Sequence, residues 1–360
     1  MTGNRPILVL SHHPRHLATG ALHTTKVVWL DSGDAAMDAS SGFFHAVIDR
    51  DVVPRLRAAL RQWPCARILV SGAFALWRPL TLALLAWNRF GPRRPVFVYW
   101  HETAMNLRRF AGADGGTLWS RWKARRRLAA ARWLLDDAHV QHLATSRQAK
   151  QCLMLLLGVE PDAITIVYEA IARERYVPSP PVSERREWRL AGAGLLDHRK
   201  GFDRFIALAE AVPELNGAST RFTWYGGTID RAPSALRARC EALVDAGRLA
   251  LPGYADPLHE ALATQDLFLM VSRDDPFPLV ALEAMAMDLP VLATETTGTA
   301  EVLPPALVAS DAAALVTVLR RFVAEQAHYP AGTFRNIAAN YDRAAFLARF
   351  ERAVNRVEGG

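Results

Sequence analysis

Along the first half of the chain, short runs of consecutive apolar residues alternate with stretches whose apolar positions recur at helical spacing. Ile7–Ser11, Lys26–Leu30, Arg67–Ser71, Val96–Trp100, His142–Thr145 and Ile164–Tyr168 are the apolar runs. Unbroken runs of this length predict strands buried on both faces. The segments Asp51–Trp63, Leu80–Asn88, Trp119–Asp136 and Arg147–Leu157 predict helices, the last capped by Ser146 and ended by Gly158. The stretch Tyr176–Arg186 carries three prolines and reads as an extended linker. A second series follows. Its strands are Trp188–Ala193, Phe222–Tyr225, Leu249–Leu251, Leu267–Val271 and Pro290–Thr294, and its helices lie at Phe202–Val212, Ala232–Ala246, Pro257–Ala263 and around Glu283. The next element the pattern assigns is a helix over Arg343–Val357. Two strand–helix series joined by a linker predict an α/β fold with two Rossmann-like, doubly wound parallel sheets, whose ligands bind beyond the carboxyl ends of the strands.

A length of 360 residues agrees with two domains, and a hydrophobic fraction of 51% is ample for two cores. The segment 68–87 is long enough to suggest a membrane span, but Gly72, Arg78 and Pro79 interrupt it, so it reads as a strand, a turn and a short helix. The net charge of +7 points to an anionic partner. Nearly all the basic residues are Arg, with Lys only at 26, 123, 150 and 200. No nucleic-acid recognition motif accompanies the charge, which argues against nucleic acid. Cys65, Cys152 and Cys240 are odd in number and lack metal-ligand spacing. With no signal-peptide pattern at the start, they point to a reduced, cytoplasmic protein.

The most informative stretch is 274–301, DDPFPLVALEAMAMDLPVLATETTGTAEVL. Asp275 and Glu283 stand eight positions apart around the turn Phe277-Pro278-Leu279, which opens an apolar helix. Both acids could be solvated surface groups. Glu283, however, sits in the apolar run ALEAMAM, and a carboxylate buried there needs polar partners. The first amides of the helix, at Phe277–Val280, have no helical acceptors and suit a phosphate. Carboxylates for hydroxyls at both ends and amides for phosphate between them describe a site for a nucleotide-sugar.

The same stretch resembles the E-x7-E signature of retaining glycosyltransferases of family 4, which have the GT-B architecture. The matching residues are Asp275, Phe277-Pro278-Leu279, Leu282-Glu283-Ala284-Met285-Ala286 and Pro290-Val291. Asp replaces the first Glu, and Asp288 stands where Gly is usual, at a helix end where a left-handed Asp is tolerated. The resemblance implies that Glu283 binds the nucleotide ribose and that Asp275 lies near the donor sugar. It also implies facing domains: 1–175 on the acceptor side, 187–342 binding the donor, and a helix over 343–360 crossing back to the first domain.

A second motif, Asp197-His198-Arg199-Lys200-Gly201-Phe202, precedes a helix. Two adjacent cations there read as a solvated turn or as a cradle for a diphosphate. Lys200 is the only lysine after position 150, which favours the cradle. The stretch resembles the family's G-R-L-x-x-x-K-G phosphate site with Gly194, Lys200 and Gly201 in register, but Leu195 replaces the Arg, leaving Arg199 as its substitute. His101, in Val98–Thr103, ends an apolar strand where family members often have a His beside the reacting sugar. Weaker matches are Gly298–Glu301, Thr145-Ser146, and Trp224–Gly227 with Gly226 beside the nucleotide; Glu169 has no role by resemblance.

In the N-terminal loop the family's Gly-Gly turn is missing, and Gly20 is the comparable flexible point on the acceptor side with His101 and Glu102. His12, His13 and His16 lack a carboxylate at ligand spacing, so no metal is expected. The helix 118–135 is basic and holds three tryptophans; it reads either as a packed helix with a solvated Arg face or as a contact with anionic membrane.

The resemblance implies sugar transfer from a nucleotide-diphosphate-sugar to a saccharide or lipid-linked saccharide acceptor, with retention and without a divalent metal or other cofactor. His101, Lys200, Asp275 and Glu283 would be its catalytic residues, in a cytoplasmic protein peripheral to the membrane and serving polysaccharide or lipopolysaccharide synthesis. The rivals are a non-catalytic nucleotide-sugar-binding protein of the same architecture, a sugar phosphorylase, and an epimerase-like protein.

Overall fold

Apolar strands stacked side by side build both halves of the protein. The computed structural model describes residues 7–11, 27–29, 58, 60–61, 67–71, 79–101, 104–110, 117–178 and 187–355. The chain divides into two units, residues 1–169 with 346–360, and residues 170–345.

In the first unit, Ile7–Ser11 (β1), Val27–Trp29 (β2), Arg67–Ser71 (β3), Val96–Trp100 (β4), Val140–Ala144 (β5) and Ile164–Ile166 (β6) form one parallel sheet, ordered β2-β1-β3-β4-β5-β6. All five residues of β4 are buried, as a central strand covered on both faces requires. The tempting apolar segment after Arg67 is β3, followed by a helix over Pro79–Phe90. No helix among the described residues is long and apolar enough to cross a membrane. The helix Arg147–Cys152 is capped by Ser146, whose hydroxyl accepts from Ala149 N at 3.0 Å. It continues as a π-helical turn over Leu153–Leu157 and stops at left-handed Gly158. Ser146 is thus a structural cap.

The second unit holds Glu187–Ala193 (β7), Glu214–Leu215 (β8), Ala218–Tyr225 (β9), Leu249–Gly253 (β10), Leu267–Met270 (β11), Val291–Thr294 (β12) and Val308–Ala309 (β13). Six are parallel in the order β10-β9-β7-β11-β12-β13, and β8 pairs antiparallel with β9. The helix Phe202–Ala211 buries Phe202, Phe205, Ile206 and Ala209, one apolar stripe at helical spacing. Two further helices, Ala312–Ala324 and Thr333–Ala338, fall where the pattern assigned nothing.

The boundaries differ from those expected. Residues 170–175 belong to the second unit, where Ile171 N donates to Tyr341 O at 3.1 Å. The helix Arg343–Asn355 begins in the second unit, and its residues from Phe346 onward belong to the first. Within the first unit, Phe346 packs on Tyr99 with ring centroids 6.1 Å apart, and Arg67 donates to Asn355 Oδ1 at 3.2 Å. Most of the proline-rich linker, residues 179–186, lies outside the described residues.

Candidate functional site

β7 and β11 are neighbours in the second sheet, and each leads at its carboxyl end into a loop bearing charge. The loop after β7 carries Lys200 and the loop after β11 carries Asp275, and Lys200 Nζ lies 2.6 Å from Asp275 Oδ2. Asp275 is only 7% exposed, and Ser272 Oγ donates to the same oxygen at 3.5 Å. The pair joins the two motifs that the sequence offered separately.

Close backbone packing around the pair requires glycine. Gly194 has φ 145°, and a side chain there would meet the Lys200 stem at 3.0 Å. Gly226 has φ 117°, and an added Cβ would lie 2.4 Å from Gly194 O. These glycines let β7, β9 and the lysine converge. The Trp224 indole donates to Gly194 O at 2.8 Å, but its ring packs edge-on to Phe202 and Phe205 in the core. Trp224 is therefore a core residue and not a wall for the nucleotide.

The loop from Asp197 is held from within. Asp197 Oδ1 accepts from Lys200 N at 2.7 Å. Arg199 Nη1 donates to Asp274 O at 3.0 Å, which ties the arginine expected to substitute at the phosphate site to the carboxylate loop. Arg273, which belongs to neither motif, forks Asp203 through two bonds of 2.6 Å and also donates to His198 O at 2.8 Å. Those hydrogen bonds hold the Asp203 carboxyl below its usual range.

Pro278 precedes the helix Leu279–Ala286. Leu279 and Val280 occupy its first turn, where amides have no acceptor within the helix. Phe277 is buried with its ring 5.4 Å from Tyr341, so only its backbone can serve a ligand. The loop Gly298–Glu301 meets this turn: Gly298 N donates to Asp275 O at 2.8 Å. Asp288 has a left-handed φ of 61°, and its carboxylate accepts from Gly332 N, Phe334 N and Arg335 N at the start of the helix Thr333–Ala338. Its role is structural.

Glu283 is partly buried about one turn along the helix. Burial raises its pKa above the ordinary 4.5, while the Tyr176 hydroxyl and nearby His259 oppose the rise. Burial first, then the Glu283 carboxylate, pushes the Tyr176 hydroxyl well up. The Tyr176 and His259 rings meet edge-on at 5.5 Å, and Tyr176 O accepts from Arg335 at 3.2 Å. Tyr176 opens the stretch read as linker, so its chemistry passed unnoticed.

In the first unit, His101 follows β4 and pairs through Nδ1 with Glu169 Oε1. Both side chains are buried. His142, on β5, accepts from the Trp100 indole at 3.0 Å, and burial drives its pKa down to about 4. Gly20, Glu102 and the cluster His12, His13 and His16 lie outside the described residues.

The same unit presents aromatic and basic side chains together. Trp119 is 63% and Trp122 50% exposed on the helix Leu118–Leu135, which holds six basic residues and no acid. Lys123 Nζ sits 3.3 Å above the Trp119 ring, and the Arg126 guanidinium 4.6 Å from that of Trp122. Trp133 carries Arg89 at 4.4 Å and meets Phe90 at 5.6 Å, linking this face to the helix Pro79–Phe90.

Residues 189–325 match the model of the family described as glycosyl transferases group 1. Over 153 residues the chain is 26% identical to alpha-galactosylglucosyldiacylglycerol synthase of Streptococcus pneumoniae, covering 39% of this chain and 40% of that protein. Over 184 residues it is 30% identical to glycogen synthase of Halorhodospira halophila, covering 47% of this chain and 38% of that one. The chain thus spans well under half the length of these relatives. Solved structures resemble it throughout. Sucrose-phosphate synthase from Thermosynechococcus elongatus aligns over 98% of this chain and 99% of its own, with TM-score 0.68 and 18% identity. Anabaena HepE, in complex with UDP-glucose, aligns over the same shares with TM-score 0.69 and 15% identity. At these identities the likeness establishes the architecture: a GT-B fold of two Rossmann-like α/β domains.

Proposed function

We propose that the protein is a glycosyltransferase that moves a sugar from a nucleotide-diphosphate donor to a hydroxyl acceptor with retention at the anomeric carbon. The observation that carries this reading is the Lys200–Asp275 pair, set beside the start of the Glu283 helix inside the segment that matches the family model. The solved structure of HepE with UDP-glucose supports a donor of this class.

The chemistry is electrostatic. As the bond between sugar and phosphate breaks, negative charge grows on the diphosphate and an oxocarbenium-like sugar remains. Lys200 supplies a compact cation to the diphosphate, the first amides of the helix at Leu279 and Val280 supply dipoles, and Arg199 adds charge from the same loop. Asp275 accepts from sugar hydroxyls and Glu283 from the ribose. His101 meets the reacting sugar. The leaving phosphate takes the acceptor's proton, so no protein base is required. Because the protein's own cations neutralise the leaving group, the reaction runs without a divalent metal.

The acceptor we assign is a saccharide or lipid-linked saccharide of the bacterial cell surface, met by a cytoplasmic protein at the membrane. The exposed tryptophans and the six cations of Leu118–Leu135, a helix without an acid, favour an anionic bilayer surface.

Calorimetry with UDP-glucose, UDP-galactose, GDP-mannose and ADP-glucose, followed by measurement of slow donor hydrolysis, tests the reading. One donor is expected to bind and to be hydrolysed in EDTA, releasing the sugar first as the retained anomer. Binding with neither hydrolysis nor transfer would favour a non-catalytic nucleotide-sugar protein, a reading consistent with exposed Leu195 where the family's phosphate Arg belongs. Release of sugar 1-phosphate from a polymer would favour a phosphorylase. Activity abolished by EDTA and restored by manganese would refute metal independence.

A further inference from the structure

Glu169 is a buried carboxylate to which the proposed chemistry gives no task. It is 3% exposed, three residues beyond β6, and its Oε1 meets Nδ1 of His101, the first residue after β4. The two are brought together across β5, which lies between β4 and β6. A buried carboxylate is expensive unless paired, so its placement against a histidine at the carboxyl edge of a parallel sheet needs a reason. Tyr99 makes the arrangement rigid. Its ring packs edge-on to His101 at 4.3 Å, and its hydroxyl donates to Val167 O at 2.8 Å, fastening the Glu169 segment to β4. Burial first and Glu169 second raise the Tyr99 hydroxyl well above its ordinary value, so it remains a donor. Arg349 approaches the same neighbourhood, its guanidinium 5.7 Å from the Tyr168 ring.

A hydrogen bond to one imidazole nitrogen decides the chemistry of the other. We propose that Glu169 is a positioning residue, which accepts the hydrogen of His101 Nδ1 and so fixes the ring and its tautomer, making Nε2 the nitrogen that meets a sugar hydroxyl. This rests on the role given to His101 under the proposed function.

The experiment compares Glu169→Leu, Glu169→Gln, His101→Ala and the double variant Glu169→Leu/His101→Ala. It follows nucleoside diphosphate release from UDP-glucose or whichever of the four donors is cleaved fastest. Glu169→Leu keeps the buried volume and removes the acceptor. It should lower kcat by about tenfold to a hundredfold, at or below the lower end of what a positioned catalytic side chain contributes, and leave donor KM within about twofold. Glu169→Gln, whose amide oxygen still accepts, should recover part of kcat. The double variant should be no slower than His101→Ala. Protein labelled with 15N-histidine reads the ring directly: His101 should be protonated at Nδ1 in the wild type and a mixture of tautomers in Glu169→Leu. Wild-type kcat and an unchanged tautomer in Glu169→Leu, with His101→Ala disabled, overturn the positioning role. Wild-type turnover in His101→Ala instead refutes the role of His101 itself and removes the positioning role with it.

Discussion

Lys200 and Asp275, 75 positions apart in the chain, form an ion pair of 2.6 Å at the carboxyl edge of the second sheet. The pair has a consequence for product binding. Under the proposed function, Asp275 offsets the charge that Lys200 would offer a diphosphate, so a neutral pair would meet the donor. Removing the lysine should cut transfer at least about a hundredfold, the scale for losing one preorganised charge contact. Removing the carboxylate should act oppositely on the free nucleotide: Asp275→Asn should bind UDP more tightly than wild type while transferring poorly, and Lys200→Ala should bind it more weakly. Calorimetry with UDP checks both signs; equal affinities in the two variants would show that the pair does not face the phosphates.

With Glu283 holding the ribose as proposed, donor binding depends on pH. Burial raises its pKa, and the Tyr176 hydroxyl counteracts that rise by stabilising the carboxylate. Protonation removes the charge that strengthens the bonds from the ribose hydroxyls, so in the proposed role donor affinity should weaken as pH falls through the raised value. Tyr176→Phe removes a stabilising donor, which raises the pKa further and moves the acid limb of binding to higher pH. Donor Kd measured between pH 4.5 and 7 tests this, and superimposable profiles for Tyr176→Phe and wild type would exclude the coupling.

Gly298 is a steric keystone of the turn before the Glu283 helix. An added Cβ would lie 1.8 Å from Pro276 O and 3.2 Å from Phe277 Cα, both backbone atoms that cannot rotate aside. Gly298→Ala should therefore push the turn away and break the bond from Gly298 N to Asp275 O. A loss of stability of about 1–3 kcal/mol is expected from such overpacking, together with loss of UDP binding. Thermal unfolding and calorimetry on the same variant check the two effects.

The aromatic and basic face of the helix Leu118–Leu135 predicts binding to vesicles. Each Lys or Arg near an anionic surface contributes about 1 kcal/mol, and tryptophan rings settle at the headgroup level. The protein should float with phosphatidylglycerol vesicles and not with phosphatidylcholine vesicles. Trp119→Ala/Trp122→Ala should lose that binding without change in donor hydrolysis, since these rings are solvent-exposed side chains remote in sequence from the donor motifs. Flotation unaffected by lipid charge, or absent in the wild type, would refute the membrane contact.

Local pattern carried the sequence reading furthest where the candidate residues are close in the chain. Asp275, Phe277-Pro278-Leu279 and Glu283 lie within one turn and helix, so their spacing marked them as candidates. Lys200 was visible as a solitary lysine, but its pairing with Asp275 depends on β7 lying beside β11, a tertiary fact. Glu169 was legible only as a residue without a role, because its partner is 68 positions away across an intervening strand. Tyr176 was hidden by the prolines that follow it. The helix Ala312–Ala324 carried a local signal that could have been used: Asp311 caps it by accepting from Ala314 N at 2.8 Å.

His142 makes stability fall in mild acid. It is buried, accepts from the Trp100 indole and titrates at about 4, against 6.5 for an unperturbed histidine. Its folded pKa is depressed, so between those values the unfolded chain binds more protons than the folded one. The stability it confers is complete above 6.5 and is lost as pH falls towards 4. The full difference is on the order of 3 kcal/mol, roughly 2 of it between pH 7 and 5. His142→Gln offers the Trp100 indole an acceptor that does not titrate. Its denaturant midpoint should change less than that of the wild type over pH 7 to 5, although the variant starts no more stable at pH 7. Equal slopes for the two proteins would mean that His142 gains its proton without unfolding.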